Sequence, residues 1–140
     1  MPEPERPLDS AGFAKAAYEA ALGREFPTDV FCAPQLRWAV IGCGVIANQM
    51  ADSLALAGRR IEGVANRHAE KARAFAAAHG VPRVYQTFEE LYADPDIDAI
   101  YITTPHNTHI GFLRGALAAG KHVLCEKSIT LNSEELAEAR

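Results

Sequence analysis

The stretch that most constrains this chain is Trp38-Ala39-Val40-Ile41 running straight into Gly42-Cys43-Gly44-Val45-Ile46-Ala47. An apolar run, a GxGxxA loop and a helix-forming segment follow one another without a break. Gly42 permits the tight turn, Gly44 lets backbone approach a pyrophosphate, and the small Ala47 lets the helix pack close to the strand. The first helical amides and the positive end of the helix dipole attract phosphate. Alone, GxGxxA is weak evidence. Here it opens the first strand–helix unit of a longer alternation, and Gly42, Gly44, Val45 and Ile46 become the candidates that face a dinucleotide.

The alternation starts at Leu36. Short apolar runs predict strands over 36–41, 61–65, 83–85, 99–103 and 122–125, and helices over 46–57, 69–79, 88–92, 108–119 and 133–140. Gly58, Gly80 and Gly120 stand just past three of those helices, where a left-handed cap is wanted. The first and fourth runs are apolar on both faces, as strands covered by helices on both sides are. Right-handed crossovers between such units give an α/β fold, a Rossmann-type doubly wound parallel sheet in a single domain over 36–140. Residues 1–35 read as an extension: a loose tail over 1–7, a short helix over 9–24 with Phe13, Ala17, Ala20 and Ala21 on one side, and a proline-bearing linker over 26–34.

Composition excludes several classes. With 140 residues, 49% hydrophobic and a net charge of −4, the chain suits one globular domain and has no general affinity for nucleic acid or acidic membranes. The longest apolar stretch is broken by two glycines and is too short to span a bilayer. Cys32, Cys43 and Cys125 form no metal-ligand spacing, so Cys43 and Cys125 are expected as buried free thiols in a reducing, cytoplasmic setting. The start of the chain lacks a secretory h-region.

The second predicted strand ends Val64-Ala65-Asn66-Arg67-His68. An NAD site usually carries an acid at this tip for the ribose 2′-hydroxyl. None is present, and Glu62 lies too early in the strand. Asn66 can hydrogen-bond there, and Arg67 and Lys71 can meet a 2′-phosphate. The expected cofactor is therefore NADP, with NAD the alternative.

Two further elements follow later strands: Thr104-Pro105-His106-Asn107-Thr108-His109, and Cys125-Glu126-Lys127-Ser128. Together with the glycine loop and Asn66-Arg67, in this order and spacing, they resemble the Gfo/Idh/MocA oxidoreductases. The resemblance runs from Leu36 to Arg140. It implies hydride transfer between a nicotinamide and a sugar, polyol or diol. It places Thr104, Pro105, His106, Asn107 and His109 beside the nicotinamide and its ribose. Glu126 and Lys127 come at the nicotinamide end, with Lys127 as the catalytic group directed at the substrate oxygen. An ammonium there can hydrogen-bond the oxygen of the reacting carbinol. His106 and His109 have a metal-compatible spacing but no third ligand, so no metal is expected.

Two departures stand out. The family has Pro where this chain has Ser128, and its Lys–Pro bond is often cis. A cis bond before a non-proline residue costs roughly 3–4 kcal/mol, so a trans Lys127–Ser128 bond and a displaced Lys127 are expected. The family also places a substrate domain after this one, carrying a further acid/base His and most oligomer contacts. Here the chain ends in a short helix that Asn132 and Glu135 would open as a capping box. A piece of an enzyme without turnover of its own is the first expectation, with a small-molecule substrate as partner. A non-catalytic nucleotide-binding module is the second.

Overall fold

Strand β1 (Trp38–Ile41) has three of its four residues fully buried, because it lies mid-sheet with neighbours on both sides. The computed structural model describes Gly23 and residues 35–140. The helix expected over 9–24, the linker over 26–34 and Cys32 lie outside the described residues. β1 leads through the glycine loop into α1 (Val45–Leu56), and then come β2 (Gly63–Ala65) and α2 (Ala69–His79). β3 (Arg83–Val84) and α3 (Phe88–Ala93) precede β4 (Ala99–Ile102). A 3-10 turn (His106–Thr108) runs into α4 (His109–Ala118), followed by β5 (His122–Cys125) and α5 (Ser133–Glu138). Gly58, Gly80 and Gly120 adopt φ values of 68°, 65° and 70°, the left-handed turns expected after three of these helices.

All strand pairs are parallel, in the order β3-β2-β1-β4-β5. Val40 sits opposite Val64 on one side and Tyr101 on the other. Side chains alternate across a strand, so this register sorts the core into two layers. Val40, Val64 and Tyr101 pack with Ala47 and Ala51 of α1 and with Ala72 and Phe75 of α2. Ala39, Ile41, Ile100 and Ile102 pack instead with Leu91 of α3 and with Leu113 and Ala116 of α4. The chain winds outward from β1 to β3, then crosses back to lay β4 on the other side of β1. The reversal opens a crevice at the carboxyl ends of β1 and β4, the place where such sheets bind ligands.

Candidate functional site

The crevice is built from the loop after β1 and the turn after β4. The Gly42 amide donates to the Ala65 carbonyl at 3.0 Å, and the Thr103 amide and hydroxyl both donate to the Ile41 carbonyl, at 2.9 and 3.1 Å. Gly42 has φ +101°, and a Cβ there would come within 2.8 Å of Thr103 Oγ1. The fold itself therefore demands glycine at 42. Gly44 differs, since a Cβ there would meet nothing within 4 Å. Gly44 caps α1 with no side-chain hydrogen bond, and the first turn of the helix has no acidic residue. The α1 amides thus face open space with their positive dipole end uncompensated, a cradle for an anionic group. Val45 and Ile46 stand 72% and 41% exposed beside it. The groove measures about 520 Å³ and is lined by Gly42, Cys43, Gly44, Thr103, Thr104, Pro105 and His106. A dinucleotide pyrophosphate fits this donor set.

The turn after β4 is tied to itself and to the end of β5. The Thr108 hydroxyl lies 2.7 Å from Thr104 Oγ1 and 2.7 Å from the Pro105 carbonyl oxygen. Pro105, His106 and Asn107 are exposed, and the His106 ring meets that of His109 edge-on at 5.8 Å between centroids. His109 is fully buried. Its Nε2 faces the Thr104 carbonyl oxygen at 2.8 Å and its Nδ1 faces the Ser128 carbonyl oxygen at 2.8 Å. The sequence reading put His109 beside the cofactor; the structure buries its ring between the carbonyl oxygens of Thr104 and Ser128, and a neutral ring donates to one of the two.

After β5 the Glu126 amide still donates to the Ile102 carbonyl at 3.0 Å, and the Glu126 carboxylate accepts a hydrogen bond from the Tyr101 hydroxyl. Burial first, and then that carboxylate, push the Tyr101 phenol up to about 12. Lys127 is exposed, and its ammonium makes no hydrogen bond or ion pair among the described residues. The Lys127–Ser128 peptide bond is cis, which corrects the trans bond expected from the residue type at 128. The neighbours of the bond explain the difference. Glu126 and Ser128 are each held by tertiary hydrogen bonds, so the surroundings, not the local preference, set this turn.

At the tip of β2, the Asn66 side-chain amide donates to the His68 carbonyl at 3.1 Å, which leaves its oxygen uncommitted. Arg67 is exposed, 3.4 Å from the His68 ring nitrogen, and pairs with no carboxylate among the described residues. Asn66 and Arg67 line a cavity of about 120 Å³ with Phe88, Thr104, Pro105 and Phe112. Glu62 precedes β2 and pairs with Arg60 at 3.0 Å, away from this tip. Lys71 does not join Arg67. It lines a separate groove of about 280 Å³ with Cys43, Asn48 and Phe75.

Cys43 and Cys125 are free thiols, half-buried rather than buried. Desolvation pushes both up to about 11; the Lys71 charge opposes this at Cys43, and the Glu126 charge adds to it at Cys125. Neither is a ready thiolate. Among the described residues, no helix is long and apolar enough to cross a membrane. Sequence reasoning passed over Thr103, whose hydroxyl closes the floor of the groove, and Tyr101, which anchors Glu126. Thr103 was visible as the last polar residue of an apolar strand. Tyr101 looked like one more core aromatic.

The comparisons with known proteins agree with this geometry. Residues 36–140 match the Gfo/Idh/MocA oxidoreductase family, NAD-binding Rossmann fold. The bovine trans-1,2-dihydrobenzene-1,2-diol dehydrogenase is 37% identical over 106 residues, which are 74% of this chain and 32% of that protein. An NAD-binding oxidoreductase from Klebsiella pneumoniae superposes with a TM-score of 0.69 at 31% identity, over 74% of this chain and 30% of its own. A 3-ketoreductase from Actinomadura kijaniata, solved with NADP, superposes with a TM-score of 0.68 at 30% identity, over 76% of this chain and 33% of its own. The chain spans about a third of the length of these relatives. Strand order, glycine loop, strand-tip residues and sequence likeness converge, and the chain belongs to the Gfo/Idh/MocA oxidoreductase family, with residues 36–140 its NAD(P)-binding Rossmann domain.

Proposed function

We propose that this domain holds NADP in preference to NAD and presents the nicotinamide for hydride exchange with a carbinol or carbonyl carbon of a sugar, polyol or diol. One observation carries the reading: three neighbouring strand tips bring together the glycine loop after β1, Thr104-Pro105-His106 after β4 and, after β5, Lys127, which is unpaired among the described residues. The pyrophosphate lies on the first-turn amides of α1. The adenine end enters the cavity of Arg67, Phe88 and Phe112, and the Arg67 guanidinium meets the 2′-phosphate. Lys71, in its own groove, takes no part, so the preference rests on Arg67 and on the missing acid at the tip of β2. The bound nicotinamide supplies the hydride acceptor or donor. Lys127 hydrogen-bonds the substrate oxygen as its charge changes. A diol dehydrogenase and an NADP-bound ketoreductase among the relatives support this chemistry. Free Cys43 and Cys125 suit a reducing cytoplasm.

Calorimetric titration tests the reading. Wild type is expected to bind NADP more tightly than NAD, and Arg67→Ala to lose about 1.5–3 kcal/mol toward NADP while NAD binding hardly changes. Tighter binding of NAD by wild type would overturn the preference; binding of neither would overturn the site.

A further inference from the structure

We propose that Tyr101 and His109 are positioning residues for Lys127, a pair of anchors that fix the residues on either side of it. The inference rests on the reading that Lys127 serves the nicotinamide end. The anchors come from opposite faces of the sheet. Tyr101 belongs to the layer under α1 and α2, and its hydroxyl donates to the Glu126 carboxylate. His109 opens α4, which packs on the other layer, and its Nδ1 faces the Ser128 carbonyl oxygen at 2.8 Å. Lys127 lies between the two fixed residues and is itself bonded to nothing among the described residues.

Two features mark these contacts as more than the ordinary end of a strand. First, His109 is the one polar side chain fully buried among the described residues. A buried polar ring is costly unless bonded, and an apolar residue would serve the core better. What the ring gains is a place between the carbonyl oxygens of Thr104 and Ser128; a neutral ring donates to one of them, and as the Nδ1–H tautomer it donates to Ser128 and holds the turn that carries Lys127. Second, the Tyr101 hydroxyl reaches from the layer under α1 and α2 to donate to the carboxylate of Glu126, the residue just before Lys127. A lysine carries a long, rotamer-rich stem. With its backbone held from both sides, only the stem remains to be aimed, and a small drift of the Cα would misplace the ammonium.

The test reads Lys127 directly. Lysines are reductively methylated with 13C, which preserves their charge, and the Lys127 resonance is assigned by its loss in Lys127→Arg. The whole chain is titrated with NADPH or NADH, whichever binds more tightly, and with the matching adenosine diphosphoribose that lacks nicotinamide. Calorimetry on the same samples sets the saturating concentration. The expected result is a shift of the Lys127 resonance with the nicotinamide dinucleotide alone. At saturation that shift should fall below half in both Tyr101→Phe and His109→Gln, whose amide reaches the Nε2 position toward Thr104 and leaves Ser128 without its partner. A full wild-type shift in both variants overturns the anchors. A wild-type chain that binds dinucleotide without moving Lys127 overturns the anchors and the placement of Lys127 together, while absence of binding overturns the dinucleotide site itself. Should His109→Gln fail to fold, Tyr101→Phe decides the matter, since it removes a single oxygen.

Discussion

At Gly42 the φ of +101° and the nearness of Thr103 exclude a side chain, while at Gly44 the space beside the backbone is open. The two glycines of one loop should therefore fail differently when replaced. Gly42→Ala strains the backbone and pushes on Thr103, so thermal or urea unfolding should show a loss of about 1–3 kcal/mol. Gly44→Val should unfold close to wild type, because nothing in the fold is hit. Its branched side chain would instead fill the space that phosphates need. A fall in dinucleotide affinity on the order of 10-fold or more, read by calorimetry, is expected. A Gly44→Val variant that folds and binds like wild type would show that the pyrophosphate lies elsewhere.

Between elements, a clasp joins the amino ends of β1 and β4. Arg37, just before β1, donates from its backbone amide and its guanidinium to Asp98, just before β4, and also reaches Asp96 at 3.0 Å. The Arg37 hydrogen bonds hold the Asp98 carboxyl well below its ordinary range. A carboxyl lowered in the folded state stabilises the fold above its unfolded value, about 3.9, and that stabilisation drains away as pH falls. The melting temperature should therefore drop as pH goes below about 4, and Asp98→Asn should flatten that part of the profile; parallel profiles would dismiss the clasp. Much of this architecture was legible in the sequence, since α2 and β5 begin and end where periodicity put them and the glycine loop opens the first strand–helix unit as read. The site was legible only in part. Lys71 was paired with Arg67 by nearness in the chain, although the helical period places it one turn from buried Phe75, on the Cys43 side. The cis bond at Ser128 escaped because the residue type at 128 favours trans, and the contacts of Glu126 with Tyr101 and of Ser128 with His109 form only through the fold. The 3-10 turn before α4 was missed for a similar reason, since the Thr108 hydroxyl bonds that tighten it are invisible to hydrophobic periodicity.

Across the whole molecule, burial falls away from the centre of the sheet toward its rims. β4 is buried along its whole length, β3 has two half-buried residues, and β5 alternates between exposed and half-buried. Leu124 on β5 and Ile129 and Leu131 beyond it stand 45%, 47% and 60% exposed. The segment that carries Lys127 thus hangs from a rim strand, whereas the glycine loop leaves the middle of the sheet. Amide exchange should report this gradient. Protons of β1 and β4 are expected to exchange only on global unfolding, and those of β5 through local opening on a faster clock. A dinucleotide that reaches the rim strand should slow β1 and β5 by the same factor, because a ligand bound to the folded state suppresses global unfolding and any local opening that breaks its site alike. Read by mass spectrometry, slowing of β1 without slowing of β5 would mean that the ligand does not reach the rim. Equal slowing would mean that the rim carrying Lys127 opens only when the dinucleotide is gone.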